Sequence, residues 1–220
     1  MIATPAAMSS LLSETVPLAL GAAISPVIFL LQLTTLIGPR PITRGAALTV
    51  GAAVTLIVVS TIGVLVGDTG FSTRTTLQAV INIAFGALLI AVGLRALLRP
   101  PKPKEPKADA RPPSVRGSFL AGVGGMASNV TTFALYIPAL ALIAGSGLPL
   151  RQQGIAALII LVITLMVAWV PLVLAVAVPG ASTRLLPWLG SWMTANNRWI
   201  QVVLGLGFGI WLFAKGVDGL

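Results

Sequence analysis

Residues 21–27 read Gly-Ala-Ala-Ile-Ser-Pro-Val and lie in the middle of the first long apolar run of the chain. Pro26 has no backbone N–H, so a helix that passes through this segment loses a hydrogen bond and frees the carbonyl four residues earlier. Residues 124–130 read Gly-Gly-Met-Ala-Ser-Asn-Val and share Gly, Ser and Val with the first segment at an offset of 103 residues. Asn129, which competes for backbone hydrogen bonds, stands where the first segment has its proline. The two segments predict two helices that are weakened near their middle.

The composition indicates a membrane protein. Of the 220 residues, 56% are hydrophobic and 9% are charged, and the mean hydropathy is +1.00. A soluble domain carries about 25% charged residues, and a membrane span needs about 20 mainly apolar residues. Six runs meet that need, roughly at 11–37, 44–67, 77–98, 117–144, 154–178 and 198–217. We therefore predict an all-α integral membrane protein with six transmembrane helices.

The basic residues, which give a net charge of +9, are distributed unevenly. Eleven of the fourteen fall in the loops after the first, third and fifth runs, and the other three are Arg74, Arg151 and Lys215. Because basic loops stay in the cytoplasm, we predict a multi-pass protein of a bacterial inner membrane with both termini outside. This placement favours anionic lipid as the partner of the positive charge and argues against nucleic acid.

The third and sixth runs also resemble each other. Six residues between 80 and 93 reappear 123 positions later, and among them Gly86 and Gly93 return as Gly209 and Gly216. With the offset of 103, this predicts two copies of a three-helix unit, at 1–98 and 117–220. An odd number of spans in each copy makes the second copy enter the membrane from the opposite side. Such inverted-topology repeats are found in many secondary transporters, with the binding site near the midplane.

Three further segments have distinct compositions. Residues 99–116 are rich in proline and carry alternating charges, which predicts an extended basic cytoplasmic linker. Residues 181–195 are too polar to span a membrane, yet four large apolar side chains share one helical face. We predict a helix there in the cytoplasmic interface, with its tryptophans at headgroup level; the four residues are Leu185, Trp188, Leu189 and Trp192. In the fifth run we expect a bend at Pro171.

We place a transport site at the two weakened helices. An unpaired polar group such as the Asn129 amide is costly in hydrocarbon, and free backbone groups at this depth are tolerated only where protein buries them or where they line a cavity. The alternative is a pair of structural kinks, with Ser25 and Ser128 bound to neighbouring carbonyls. The predicted substrate-binding residues are Ser25, Pro26, Gln32, Asn82, Ser128, Asn129, Thr131, Thr132 and Tyr136.

No catalytic set can be assembled from the sequence. The chain has neither cysteine nor histidine, and no two of its five carboxylates lie within one span, so we predict no enzymatic activity, no metal site and no cofactor. At helical rise, Glu14 lies about 16 Å outward of Ser25, near the outer interface. Glu14 is either a solvated carboxylate or a gate at the outer mouth of the path.

These features resemble a known family. The lysine-exporter (LysE) superfamily has six spans in two three-span repeats, each with a proline motif midway through its first span. Ser25-Pro26, Trp192 followed by Asn196-Asn197, the glycine-rich last run and the basic linker are similar to its GAP branch, the sulfolipid- and glycopeptidolipid-addressing proteins. The sequence departs from the family pattern at Val130, where a proline is expected. The resemblance implies export or delivery of a lipid or glycolipid toward the cell envelope.

Two other functions stay open at this point. A small-solute exporter, for example of amino acids, would need partners for a zwitterion, and two opposed half-helix ends are able to provide them. A non-transporting scaffold would assist a lipid-export machine. A lateral opening toward lipid favours the lipid exporter, a sealed polar pocket the solute exporter, and a solid core with an exposed apolar groove the scaffold. The glycine-rich second and sixth runs are consistent with close packing either within the chain or across a homodimer.

Overall fold

The computed structural model describes residues 5–36, 40–68, 74–98, 114–178 and 184–219, and every regular element in these ranges is a helix. Most of the predicted linker, at 99–113, and the predicted start of the interfacial helix, at 181–183, lie outside the described residues. The helices are α1 (Pro5–Ala23), α2 (Pro26–Leu36), α3 (Pro41–Asp68), α4 (Arg74–Leu98), α5 (Val115–Ala127), α6 (Val130–Gly145), α7 (Leu150–Thr164), α8 (Met166–Ala177), α9 (Leu186–Ala195), α10 (Asn197–Val202), a π-helical segment (Val203–Phe208) and α11 (Gly209–Val217).

Several of these helices have the length and apolarity of membrane spans. Three do so unbroken, namely Pro41–Leu65 in α3, Thr76–Leu98 in α4 and Asn197–Val217 from α10 to α11. Three pairs do so only when taken together, and they are bent by 54° between α1 and α2, 67° between α5 and α6, and 59° between α7 and α8. The described residues thus hold three candidate spans, or up to six if each bent pair is one span. The prediction of an all-α, multi-pass chain is confirmed at this level.

The first bend falls where the sequence predicts it. The N–H of Ile24 donates to the carbonyl of Gly21 at 3.1 Å and that of Ser25 to Ala23 at 2.9 Å, so the regular α-helical pattern stops there. Pro26 then opens α2. Proline suits a first helical position because the N–H that it lacks would have no partner within the helix.

The second bend has a different chemical origin. Asn129 lies between α5 and α6 with φ −86° and ψ 83°, and its side-chain oxygen accepts a hydrogen bond from the N–H of Thr132 at 3.3 Å. This is the geometry of a helix N-cap, for which Asn is among the best residues. The capping amide starts a new helix as effectively as a proline does. The second pair of helices is therefore bent more than the first, by 67° against 54°, although residue 130 is valine rather than proline.

The third bend corrects a prediction. Pro171 lies inside α8, and the 59° bend falls at Leu165, between α7 and α8. A proline ring clashes with the carbonyl four residues earlier, here that of Val167, which lies two residues beyond the bend, so Pro171 does not mark its centre. Pro17 and Pro138 also lie inside helices, in α1 and α6. Proline alone therefore does not locate the breaks in this chain.

Glycines bring two pairs of helices into close contact. A Cβ at Gly51 of α3 would overlap the carbonyl oxygen of Phe119 of α5, and one at Gly122 of α5 would overlap that of Leu48 of α3. Gly86 of α4 and Gly209 of α11 approach each other's helices in the same way. The glycine-rich faces are used for packing within the chain, so they do not by themselves support a homodimer.

Polar contacts mark the two ends of the bundle. Arg198, at the start of α10, donates from Nε to the carbonyl of Ala96 at 3.2 Å and from a terminal nitrogen to that of Leu97 at 2.9 Å. A cation at the carboxyl end of α4 satisfies carbonyls that the helix leaves free. At the other end, Glu14 of α1 binds Lys215 of α11 at 2.5 Å.

Helix α9 lies within the segment for which an interfacial helix is predicted; its position in the membrane interface stays a prediction. Its inner face, with Leu186, Gly190 and Met193, is buried, and Gly190 packs on Leu33 of α2. Trp188 is 63% exposed and lies on the outer face. Leu189 is half-buried rather than outward-facing, because α9 packs on α2 rather than standing free.

Candidate functional site

The two broken spans meet at their breaks. The Asn129 side chain donates from Nδ2 to Ser25 Oγ at 2.6 Å. Ser25 is buried and its Oγ also accepts from the N–H of Ile28 at 3.3 Å, which places Ser25 at the start of α2 as Asn129 is at the start of α6. One side-chain hydrogen bond therefore connects two helix caps that are 104 residues apart.

A second hydrogen bond joins the halves next to the first. Pro26 cannot donate to the carbonyl of Ala22, four residues earlier. The hydroxyl of Thr132, which is buried, donates to that carbonyl at 3.0 Å. The sequence predicts the free carbonyl, and the structure supplies its partner from α6. The same α6 turn thus caps both the broken helix and its own beginning.

Two further hydroxyls bind the first helix of the opposite half, although over longer distances. Thr55 of α3 donates to the carbonyl of Val123 at 3.4 Å, and Thr164 at the end of α7 donates to that of Ala19 at 3.5 Å. The two acceptors are 104 residues apart, and each lies four residues before the end of its helix. Sequence reasoning assigned no role to either threonine, since a hydroxyl in a span is able to bind its own helix, as Thr55 also does at Gly51.

Ser128 does not join this site, which corrects the predicted Ser25–Ser128 pair. Its side chain is exposed and its hydroxyl donates to the carbonyl of Gly124 in its own helix at 2.6 Å. The shared letters align at an offset of 103, but the helix ends and beginnings align at 104, so that Ser25 corresponds to Asn129. Asn129 takes the place because its longer amide both caps α6 and reaches Ser25.

The other predicted site residues form separate contacts. Gln32 is buried on α2 and donates to the carbonyl of Gly45 in α3 at 3.3 Å. The Tyr136 hydroxyl is hydrogen-bonded to Ser60 Oγ at 2.6 Å. Asn82 is buried in α4 and its Oδ1 has no hydrogen-bond partner. Pro26 and Thr131 are half-buried beside the pair. Gln32 and Tyr136 thus lie at the α2–α3 and α3–α6 contacts, and Asn82 lies in α4, so these three side chains are not gathered at Ser25.

Glu14 has a partner that the sequence did not indicate. Lys215, which binds its carboxylate, also lies 5.4 Å from the ring centroid of Trp211. Both charged side chains are partly exposed, at 48% for Glu14 and 31% for Lys215. The pair ties the first helix to the last at the end of the bundle away from Arg198. Its role as a gate stays a prediction.

A cavity of about 380 Å³ opens beside the first break, and we call it the α8 cleft. It lies between the end of α1, the start of α2, α8 and α9, and every side chain that lines it is apolar. Its lining includes Leu20 and Ile24 of α1 and the segment after it, Val170 and Leu174 of α8, and Leu189 and Met193 of α9. Nothing in the sequence marks this cleft, because hydrophobic residues of a span look alike whether they face lipid, protein or a cavity.

Comparison with known proteins adds one finding to this geometry. The model of the family described as Sap, sulfolipid-1-addressing protein, matches residues 15–218. The match includes both breaks and begins one residue after Glu14. No curated protein and no solved structure matched the chain. The wider likeness to lysine exporters stays a prediction.

Proposed function

The chain belongs to the family of sulfolipid-1-addressing proteins, and we propose that it is an inner-membrane transporter that delivers a lipid or glycolipid toward the cell envelope. The observation that carries the proposal is the Asn129–Ser25 hydrogen bond, which joins two helix breaks in the middle of two candidate spans. Broken helices at membrane depth belong where protein buries the freed groups or where they line a path. In transporters, such breaks surround the substrate site.

We further propose that the six spans form two inverted three-helix repeats. The contacts across the site come in pairs that support this. Gly21 packs on Leu135, and Gly125 packs on Leu31. The two glycines are 104 residues apart, and so are the two leucines. Between α4 and the last span the offset is 123. There Gly86 packs on Phe213, and its counterpart Gly209 packs on Ile90. Paired contacts of this kind are expected when one half is a rotated copy of the other.

In the proposed mechanism the two halves rock against each other and separate at the Ser25–Asn129 pair. Rocking must break this bond and the Thr132–Ala22 bond, and hydrogen bonds between helices in membranes contribute only about 0.6 kcal/mol each on average. Two such bonds favour the state in which the breaks are joined, but they are weak enough to be broken during transport. Glu14 and Lys215, which join α1 to α11 at one end, are then the proposed gate on the outer side.

The chemistry around the site favours lipid over a small charged solute. The groups that bond there are hydroxyls, one amide and backbone carbonyls, and the adjoining α8 cleft is apolar and open. An amino acid would need charged or strongly polar partners on both ends. A scaffold without transport remains the alternative that the experiment below tests.

For orientation, we propose that the end with Arg44 and Arg198 is cytoplasmic. Both arginines bind helix carboxyl ends, Arg44 at Thr34 and Arg198 at Ala96 and Leu97. Basic residues near span ends stay on the cytoplasmic side. This places α9 in the cytoplasmic interface and the Glu14–Lys215 pair outside.

Because the chain has no cysteine, single cysteines give a clean test of the path. Ser25→Cys and Thr132→Cys are probed with a water-soluble, membrane-impermeant thiol reagent from each side, with Val173→Cys, on an exposed apolar face of α8, as the lipid-facing control. We expect reaction at 25 and 132 from at least one side and none at 173. If neither site reacts from either side, the transport path is wrong, and the scaffold is favoured. Envelope lipids of cells with and without the protein then show whether a lipid is delivered.

A further inference from the structure

The α8 cleft is continuous with the proposed site. Ile24, which lines it, is the residue directly before Ser25, and Ala23 beside it ends α1. Anything that fills the cleft up to Ile24 therefore touches the first break, whose Ser25 accepts the hydrogen bond from Asn129. The opposite end of the cleft is lined by side chains of α9, namely Leu186, Leu189 and Met193.

The depth of the cleft matches one leaflet. Its lining along α8 extends from Met166 to Leu174, which at helical rise is about 12 Å. Half of a hydrocarbon core is about 15 Å. The exposed Trp188 and Trp192 on the outer face of α9 suit the headgroup level at one end. A chain that entered there would end near the midplane, at the break.

The rim of the cleft faces the lipid phase. Leu20, Ile24 and Met166 line it and are 45%, 42% and 39% exposed, and in a span such apolar exposure is toward hydrocarbon. A polar headgroup or a zwitterion has no partner among side chains that are all apolar, whereas an acyl chain needs none.

The apolar α1 wall of the cleft is not repeated in the second half of the chain. At an offset of 104, Leu20 and Ile24 correspond to Gly124 and Ser128. A Cβ at Gly124 would meet nothing within 4 Å, and Ser128 is an exposed hydroxyl bonded to its own helix. A groove that merely held bilayer lipid would not need bulky apolar walls in one copy and a glycine and a serine in the other. The difference suits a site that loads its ligand from one leaflet.

From these observations we infer that the α8 cleft binds an acyl chain of the delivered lipid, with the chain end at Ile24 and the headgroup toward α9. The inference rests on the proposed delivery of lipid and names the part of the lipid that this side of the site recognises. An acyl chain in the cleft would push α8 away from α1 next to Ser25. Binding of the lipid would thereby act on the hydrogen bond between Ser25 and Asn129.

Photolabelling of the purified full-length protein tests this binding without requiring transport. The protein is reconstituted in vesicles of phosphatidylethanolamine and phosphatidylglycerol that contain a sulfated glycolipid with a diazirine in its acyl chain. We expect the label on α8 and on the end of α1, with competition by the unlabelled glycolipid. Val170→Trp and Leu174→Trp fill the cleft from its lining and should each lower labelling roughly tenfold, the order expected from overpacking a filled site. Val173→Trp, on the same helix but outside the lining, is the matched control and should leave labelling unchanged.

Two results would overturn the inference. One is equal, uncompeted labelling by phosphatidylglycerol that carries the same diazirine, which would identify a groove for ordinary bilayer lipid. The other is undiminished glycolipid labelling in both tryptophan variants. Delivery is measured separately in cells. If the tryptophan variants lose labelling but deliver lipid normally, the binding stands and transport through this cleft is wrong; if they lose both, the two proposals are supported together.

Discussion

At the scale of single residues, Asn129 serves both halves of the chain. Its Oδ1 caps α6 by accepting from the N–H of Thr132, while its Nδ2 donates to Ser25. A smaller side chain loses both bonds at once. Ser128, one residue earlier, bonds only to its own helix and is exposed, so it provides a matched comparison.

We predict that Asn129→Ala lowers the free energy of unfolding by about 1–2 kcal/mol, since loss of an N-cap costs about 0.5–2 kcal/mol and the bond to Ser25 is lost as well. Ser128→Ala should change it by less than about 0.5 kcal/mol. Unfolding in mixed micelles with increasing denaturing detergent measures both. A Ser128 effect equal to that of Asn129 would contradict the assignment of Asn129 as the joining residue.

Thr132 and Pro26 are predicted to be coupled through one carbonyl. Thr132→Val leaves the Ala22 carbonyl without a donor and should cost about 1 kcal/mol. In Pro26→Ala protein, residue 26 regains an N–H, and we expect it to donate to the Ala22 carbonyl as α1 extends through the break, so the same Thr132→Val change should cost less. A double-mutant cycle measures this coupling, with Thr131→Val as the neighbouring control. Equal costs in both backgrounds would show that the threonine does not replace the missing donor.

At these residues the sequence predicts which backbone hydrogen bond is missing, but it does not predict which side chain replaces it. The lack of an N–H at Pro26 is a local property, so the free carbonyl of Ala22 follows from the sequence alone. Its donor, Thr132, is 110 positions away, and nothing local distinguishes it from Thr131. Lys215, the partner of Glu14, is likewise 201 positions distant.

At the scale of elements, local chemistry predicted two of the three breaks. The proline and the asparagine mark the first two, but the bend at Leu165 has neither proline, glycine nor asparagine at its centre. The π-helical segment Val203–Phe208 also has no unique signal, although Gly205 within it packs on Gly93 of α4. These features depend on packing between helices, which periodicity does not encode.

The contact of α3 with α5 yields an element-level prediction. Gly51→Ala places a methyl group against the backbone oxygen of Phe119; because a backbone cannot rotate aside, the helices must separate. We expect a loss of about 1–3 kcal/mol, the usual range for overpacking. Gly154→Ala is the control: it lies exposed in α7, and a Cβ there would meet nothing within 4 Å, so stability should hold or rise slightly. Detergent-induced unfolding compares the two, and equal losses would refute close packing at Gly51.

At the scale of the whole molecule, the similar segments that suggest a repeat were visible in the sequence, but the register of the paired contacts was not. Identical letters align the first helices at 103, whereas the helix caps and the glycine contacts follow 104. The reason is that capping depends on where a side chain reaches, not on which residue type recurs. Thus Ser128 has the same residue type as Ser25, whereas Asn129 has the same structural position, directly before the second helix of its pair.

The proposed rocking of the two halves predicts that joining them covalently at this position stops delivery. In Ser25→Cys/Asn129→Cys protein the two side chains replace a pair whose atoms lie 2.6 Å apart, and no native cysteine competes. A short bis-methanethiosulfonate reagent, which spans the gap that the shorter cysteine side chains leave, should form the cross-link in the membrane and abolish lipid delivery. A reductant should restore delivery, because the two halves are then free to separate at their breaks. Ser25→Cys/Ser128→Cys is the control, since Ser128 points away to its own helix and should cross-link poorly. Full delivery by the cross-linked 25/129 pair would mean that the Ser25–Asn129 contact persists throughout the cycle, and the moving boundary between the halves would then have to lie elsewhere.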